Sequence, residues 1–172
     1  TKALGSVRLI ICGGAHMDPS ISEEFHYLGL TVLQGYGITE CAPIISFNRS
    51  RNVVDGSVGN VLDTDTVRID EPNEDGEGEI RVKGPNVMMG YYKDEENTRE
   101  AFDEEGFFKT GDYGKFGVGG ALYITGRKKN VIVLSNGKNI FPEEIEGYIK
   151  DIGYINEVVV CSEKKNNGIE KS

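Results

Sequence analysis

At 172 residues, with 38% hydrophobic and 27% charged, the chain can pack one ordinary domain around a modest core. Its 28 Asp+Glu against 19 Lys+Arg leave a net charge of -9, which sets it against the phosphate backbone of nucleic acid as a partner. Cys12, Cys41 and Cys161 lack zinc-finger or CxxC spacing and His16 and His26 lack ligand spacing, so a histidine metal centre is disfavoured and a reducing compartment fits.

Residues 7–12, VRLIIC, form an apolar, β-branched run that is predicted to be a buried strand. A glycine turn follows at Gly13–Gly14. Asp18 and Pro19 suit the start of a helix over residues 19–28, and Gly29 suits its end. Residues 30–37, LTVLQGYG, make a second strand. Strand, helix, strand is an α/β unit, and parallel strands would put both glycine turns on one rim, where such sheets bind ligands. From about Ser50 the pattern becomes β-rich. TVRIDEPNEDGEGEIRVKG reads as one hairpin and DYGKFGVGGALYITGR as another, with residues 118–120 in its turn. A short helix over 95–102 lies between them, and a small barrel or a curved sheet is the expected form. Beyond Arg127 a strand is expected at 131–134, a turn at 135–138 and a helix from Pro142. Ile145, Tyr148, Ile149 and Ile152 form its apolar face, Gly153 ends it, and NEVVVCS is a last strand. The expected fold class is α+β. Residues 1–49 would be an α/β portion of a large domain, 50–126 a β-rich, distorted-barrel subdomain, and 127–172 a hinge with the start of a small α+β domain.

The motifs GYGITE, GEIRVKGPNVMMGYY, KTGD and GRKKNVIVLSNGKNIFPEEIE occur in this order. Each alone also suits an ordinary polar loop or turn. Together they resemble the adenylate-forming superfamily, most closely the long-chain acyl-CoA synthetases, and the resemblance covers nearly the whole chain. It implies a nucleotide site made by Gly14, Ala15, Gln34, Gly35, Tyr36, Gly37, Thr39, Asp112, Ile124 and Arg127. Tyr36 would stack on the adenine and Thr39 would bond the α-phosphate. Glu40 would hold Mg²⁺, and Thr39 and Glu40 would be the catalytic pair. Asp112 would accept both ribose hydroxyls, with Arg127 also on the ribose. Lys128 falls at the hinge, and Ser135 and Gly137 would line the coenzyme A channel. Residues 84–92 read mostly as packing. Cys41 follows Glu40 without a nearby histidine and is not read as a nucleophile.

The resemblance implies ATP or AMP, Mg²⁺ and coenzyme A as ligands and a fatty acid as substrate. It implies no nucleic-acid partner and no transmembrane segment, and a cytoplasmic place with room for peripheral membrane contact by a longer parent. Two other readings stay open: an amino-acid or aryl-acid adenylating domain with a carrier-protein acceptor, and a binding or scaffold module without chemistry. The chain opens without Met, directly into a strand-like run, and reads as a piece of a longer protein. The family's upstream phosphate loop and its late catalytic lysine have no counterpart, so this chain by itself is expected to be inactive. Pyrophosphate release by the purified chain, given fatty acid and ATP, would contradict that expectation.

Overall fold

The computed structural model describes residues 5–14, 17–134, 139–150, 152, 154–155, 157–164 and 170–171. The fold is α+β and rich in sheet. In the first sheet β1 (Leu9–Gly13) and β2 (Thr31–Gly37) are parallel, and β3 (Ile44–Phe47) and β4 (Asn60–Val61) follow antiparallel. Helix α1 (Pro19–Tyr27) makes the crossover. Asp18 caps it, its Oδ1 accepting from the Ser20 N–H at 2.8 Å, and Gly29 turns the chain away at φ 76°. Gly13 and Gly35 are register partners, so the two glycine turns do share a rim. The expectation of a buried first strand is corrected: Leu9 is 47% and Ile11 75% exposed. β1 is an edge strand, and an apolar run records a strand without recording what covers it.

The second sheet is an antiparallel meander of β5 (Thr66–Asp70), β6 (Gly78–Lys83), β7 (Phe108–Phe116) and β8 (Leu122–Arg127). Its two edges, β5 and β8, do not pair, so the curved sheet forms and the barrel does not close. Helix α2 (Glu95–Ala101) lies between β6 and β7, with Asp94 Oδ1 accepting from the Asn97 N–H at 3.1 Å. Period-two alternation turns Ile80 and Val82 inward. They meet Phe108 and Leu122 of the same sheet, Ile45 of the first and Cys41 from the turn between β2 and β3. One core therefore serves both sheets, each such apolar side chain stabilising the fold by about 1.5–3 kcal/mol on burial.

The other face of the meander is ionic. Asp103 Oδ2 accepts from Arg68 at 2.7 Å and from Arg81 at 2.9 Å, while Oδ1 accepts from the N–H groups of Phe107 and Glu105 at 2.9 and 3.0 Å. Arg81 also pairs with Asp70, and the Arg68 guanidinium lies 4.4 Å from the centre of the Phe107 ring.

Beyond β8 come the two-residue strands β9 (Ile132–Val133) and β10 (Asn139–Ile140), helix α3 (Pro142–Lys150), and the pair β11 (Glu163–Lys164) and β12 (Glu170–Lys171). Phe141, 3% exposed, docks this part on the second sheet, its ring centre 5.8 Å from that of Tyr113. The strand expected at 131–134 is thus shorter, and the turn at 135–138 and Gly153 lie outside the described residues. Of the expected apolar face on α3, Ile145 and Ile149 are half-buried but Tyr148 and Ile152 are 78% and 53% exposed. The last strand, expected in NEVVVCS, is not formed over 157–160. A β-rich composition needs a ladder partner; instead the Val160 N–H donates to Glu146 Oε1 at 2.8 Å.

Partial burial alone would raise the Asp103 carboxyl. The Phe107 N–H, the Arg81 guanidinium, the Glu105 N–H and the charge of Arg68 instead hold it below the ordinary carboxylate value. A carboxyl depressed on folding stabilises fully above its unfolded pKa, and that contribution is lost as pH falls toward the folded one. Asp103→Asn should therefore cost about 1–2 kcal/mol at neutral pH. It should also flatten the loss of stability on acidification, both read by urea unfolding; an acid limb identical to the wild type would contradict the role given to this carboxylate.

Candidate functional site

The TGD tripeptide shapes the site through a bulge. Arg81 pairs with Lys109 and Glu79 with Tyr113, so the single residue Ile80 faces three residues, Thr110 to Asp112. The surplus chain is accommodated by chemistry that only this sequence supplies. Gly111 takes φ 70°, a left-handed conformation that favours glycine. The Thr110 hydroxyl donates to the Ile80 carbonyl at 2.7 Å and accepts from the Asp112 N–H at 3.1 Å, replacing the lost ladder bonds. Asp112 keeps the alternation of β7, buried on the same side as Phe108, Thr110 and Gly114. Asp112 lies within β7 and is 4% exposed.

Both oxygens of that buried carboxylate have donors from other strands. The Tyr36 hydroxyl on β2 donates to Oδ2 at 2.7 Å, and the Arg127 guanidinium on β8 pairs ionically with Oδ1, its Nε at 2.9 Å. Arg127 is the register partner of Asp112, so the ladder itself brings the pair together. Burial raises the Asp112 carboxyl above its ordinary value, and the Tyr36 hydrogen bond and the Arg127 charge pull it back. Burial, then the neighbouring Asp112 charge, drive the Tyr36 phenol well above its ordinary value, so Tyr36 is a fixed donor. A carboxylate offers about four lone-pair sites, and two remain open for hydroxyls of a ligand.

β2 leads from Tyr36 into a 3-10 turn, Thr39–Cys41, closed by Ala42 at φ 54°. The turn is held from below by Cys41, fully buried in the shared core. Burial pushes the Cys41 thiol up to about 12, which removes it as a nucleophile at neutral pH. Gly37 is required by packing: a Cβ there would collide with the Pro43 carbonyl oxygen, and the Ile38 N–H donates to that same oxygen at 2.8 Å. Thr39 is exposed and Glu40 half-buried on the outer side of the turn. Glu40 Oε1 accepts from the Tyr91 hydroxyl at 3.1 Å, and its carbonyl accepts from the Met88 N–H at 2.8 Å. No group of three or more His, Cys, Asp and Glu forms a metal cage among the described residues. A lone carboxylate on an exposed turn is a donor set that suits Mg²⁺ shared with a substrate's phosphates.

The other sequence-predicted residues fall around this centre. Gln34 sits on β2 opposite Cys12, Gly35 opposite Gly13 and Phe47, and Gly14 follows β1 at φ 86°. Ile124 on β8 packs against the core. Lys128 lies just past β8; its N–H donates to the Gly111 carbonyl at 2.9 Å and its ammonium to Glu79 Oε2 at 2.9 Å. Ala15, Ser135 and Gly137 lie outside the described residues. Reading the sequence missed three partners: Thr110, Glu79 and Tyr91. Thr110 was within reach as the first residue of TGD. Glu79 and Tyr91 touch their partners 49 and 51 residues away, and no local period marks such contacts.

A fixed phenol, carboxylate and guanidinium, beside the rim of a parallel strand pair, suit a ligand that carries vicinal hydroxyls and a flat ring. The chain belongs to the AMP-binding enzyme family, whose pattern it matches over residues 1–92. The long-chain-fatty-acid–CoA ligase 6 of Rattus norvegicus is 40% identical over 154 residues, which are 85% of this chain and 22% of that relative. The O-succinylbenzoate coenzyme A synthetase of Bacillus subtilis, solved with ATP and a magnesium ion, superposes with a TM-score of 0.83 at 32% identity, over 96% of this chain and 36% of that one. ATP-bound MatB from Rhodopseudomonas palustris gives 0.79 at 34% identity, over 88% and 31%. The chain thus spans well under half the length of the proteins it matches.

Tyr36→Phe isolates the phenol. It should remove about 1 kcal/mol of stability and move the Asp112 carboxyl further above its ordinary value, because the lost hydrogen bond lowers it. Carbon-detected NMR titration of labelled aspartate reads this directly, and an Asp112 titration unmoved by the substitution would refute the coupling.

Proposed function

We propose that this chain is the nucleotide-gripping part of an AMP-forming acid–thiol ligase, one that activates a long-chain fatty acid with Mg·ATP and transfers the acyl group to coenzyme A. The observation that carries this reading is the convergence of Tyr36 and Arg127, from two other strands, on the buried carboxylate of Asp112. The two open lone pairs of Asp112 would accept the ribose 2′- and 3′-hydroxyls, with Arg127 alongside. Tyr36 would present its ring to the adenine, against the small-residue backbone of Gly14, Ala15, Gly35 and Gly37, with Gln34 and Ile124 at the edges. Thr39 would donate to the α-phosphate. Glu40 would hold Mg²⁺, which when bound offsets phosphate charge.

In the first step the fatty acid carboxylate attacks the α-phosphorus; an acyl–phosphate bond forms and the bond to pyrophosphate breaks. In the second the thiolate of coenzyme A attacks the acyl carbon and AMP leaves with the bonding electron pair. Lys128 would be the pivot between the two steps, and Ser135 and Gly137 would flank the thiol's path. The division into residues 1–49, 50–126 and 127–172 belongs to this reading, with the pivot at the start of the last part. The whole protein would act in the cytoplasm, with peripheral contact to the membrane that supplies its acids. Among the described residues no helix is long and apolar enough to cross a membrane. The likeness at TM-score 0.83 to a synthetase named for O-succinylbenzoate supports a second reading, an aryl acid in place of the fatty acid.

The test uses the full-length protein and a hydrolysis-resistant alkyl-adenylate in calorimetry. Asp112→Ala should weaken binding about 10–100-fold, the loss of charged hydrogen bonds worth about 1.5–3 kcal/mol. Turnover across an acid panel with coenzyme A should favour long-chain fatty acids. Equal binding by the variant would sink the nucleotide reading, and turnover confined to aryl acids would transfer the substrate to the second reading.

A further inference from the structure

The segment 84–92, read from sequence as packing, reaches the turn that carries Glu40. The Met88 N–H bonds the Glu40 carbonyl at 2.8 Å, and the Tyr91 hydroxyl bonds Glu40 Oε1 at 3.1 Å. Tyr91 is itself anchored. Its N–H donates to Thr98 Oγ1 at 2.8 Å, and that hydroxyl donates to the Asp94 carbonyl at 2.6 Å within the cap of α2. Tyr91 and Asp94 also form an isolated bridge. Gly90 makes the approach feasible: it takes φ 152°, and a Cβ there would stand 2.6 Å from Thr98 Cγ2. The segment therefore holds Glu40 by main chain and side chain at once. It leaves Oε2 without a hydrogen-bond partner among the described residues.

We propose that Tyr91 is a positioning residue for Glu40, fixing its carboxylate so that the free oxygen meets the metal of the Mg·ATP substrate; this rests on the reading of Glu40 as a metal ligand. A glutamate on an exposed turn otherwise samples several rotamers, most of them unproductive. Mg²⁺ tolerates little departure from its preferred geometry. A hydrogen bond that occupies one carboxylate oxygen and orients the other removes that freedom, and outer partners of this kind change metal affinity by about 10–100-fold. The partial exposure of Tyr91, at 40%, puts the expected effect at the lower end.

The experiment titrates Mn·ATP into the full-length protein and follows water-proton relaxation, with wild type, Glu40→Gln and Tyr91→Phe side by side. Binding of the metal-free alkyl-adenylate is measured on each as a check on the nucleotide half-site. The expected result is weaker Mn·ATP binding for both variants, about tenfold for Tyr91→Phe, with alkyl-adenylate affinity unchanged in Tyr91→Phe. Wild-type Mn·ATP binding by Tyr91→Phe, with Glu40→Gln impaired, would overturn the positioning role and leave the metal reading standing. Wild-type binding by Glu40→Gln would overturn the metal reading and this proposal with it. Loss of alkyl-adenylate binding in Tyr91→Phe would make the tyrosine a structural residue and overturn the proposal as well.

Discussion

A carboxylate taken out of water has to be supplied with donors, and the arrangement of both sheets follows from how Asp112 is supplied. The phenol comes from β2 and the guanidinium from β8, so the first sheet must dock at a fixed height against the second. Each partner offsets part of the cost of holding that carboxylate at 4% exposure, the neutral phenol by a hydrogen bond and the more exposed Arg127 by its charge. The shared core of Cys41, Ile45, Ile80, Val82, Phe108 and Leu122 supplies the apolar driving force for that docking. The polar cluster selects which docking is correct.

The bulge at Thr110–Asp112 reconciles two demands on β7. As a core strand it must keep Phe108 on its buried side, where Thr110, Asp112 and Gly114 also lie. As a site strand it must turn a carboxylate toward Tyr36. Three residues opposite Ile80 separate these demands, and the Thr110 hydroxyl and the left-handed Gly111 replace the hydrogen bonds and conformational room that a regular strand would have had. The ionic face on the other side of the sheet is a different solution to burial. There Asp103 serves as a common acceptor for two arginines and two backbone N–H groups, and organises the loop between α2 and β7.

Much of this was legible from the residues. Alternation marked β5 to β8, Asp18 sat where a helix cap belongs, and the parallel pair β1 and β2 put two glycine turns on one rim. Tyr36, Asp112 and Arg127 stood out as motif residues, but their mutual bonds did not. Those bonds depend on a register slip of two residues and on the packing of one sheet against another, neither of which leaves a period in the sequence. The errors have the same origin. The apolar runs of β1 and of residues 157–160 were read as buried or paired because hydrophobicity and β-propensity describe a segment, whereas cover and pairing are properties of its neighbours. Tyr91 was read as packing for want of any sign of the glutamate 51 residues away.

The same bulge also ties Lys128, the pivot of the proposed function, to the Asp112 cluster. The carbonyl of Gly111 accepts the Lys128 N–H, so the residue next to Arg127 is tied to the residue next to Asp112. On the proposed reading, rotation of the chain at Lys128 would have to release this bond and withdraw the ammonium from Glu79, whose side chain is 6% exposed. A carboxylate abandoned at that depth would oppose the movement strongly. Arg81 limits the opposition: its guanidinium lies 3.6 Å from the same Glu79 oxygen and stays on β6 when Lys128 leaves. Arg81 in turn is shared with Asp70 and Asp103, so its charge can be drawn toward Glu79 without stranding either of them, since Arg68 reaches both. The ionic face of the second sheet thus does more than cap the meander. On the proposed reading it would let one cation depart from a buried carboxylate at the pivot.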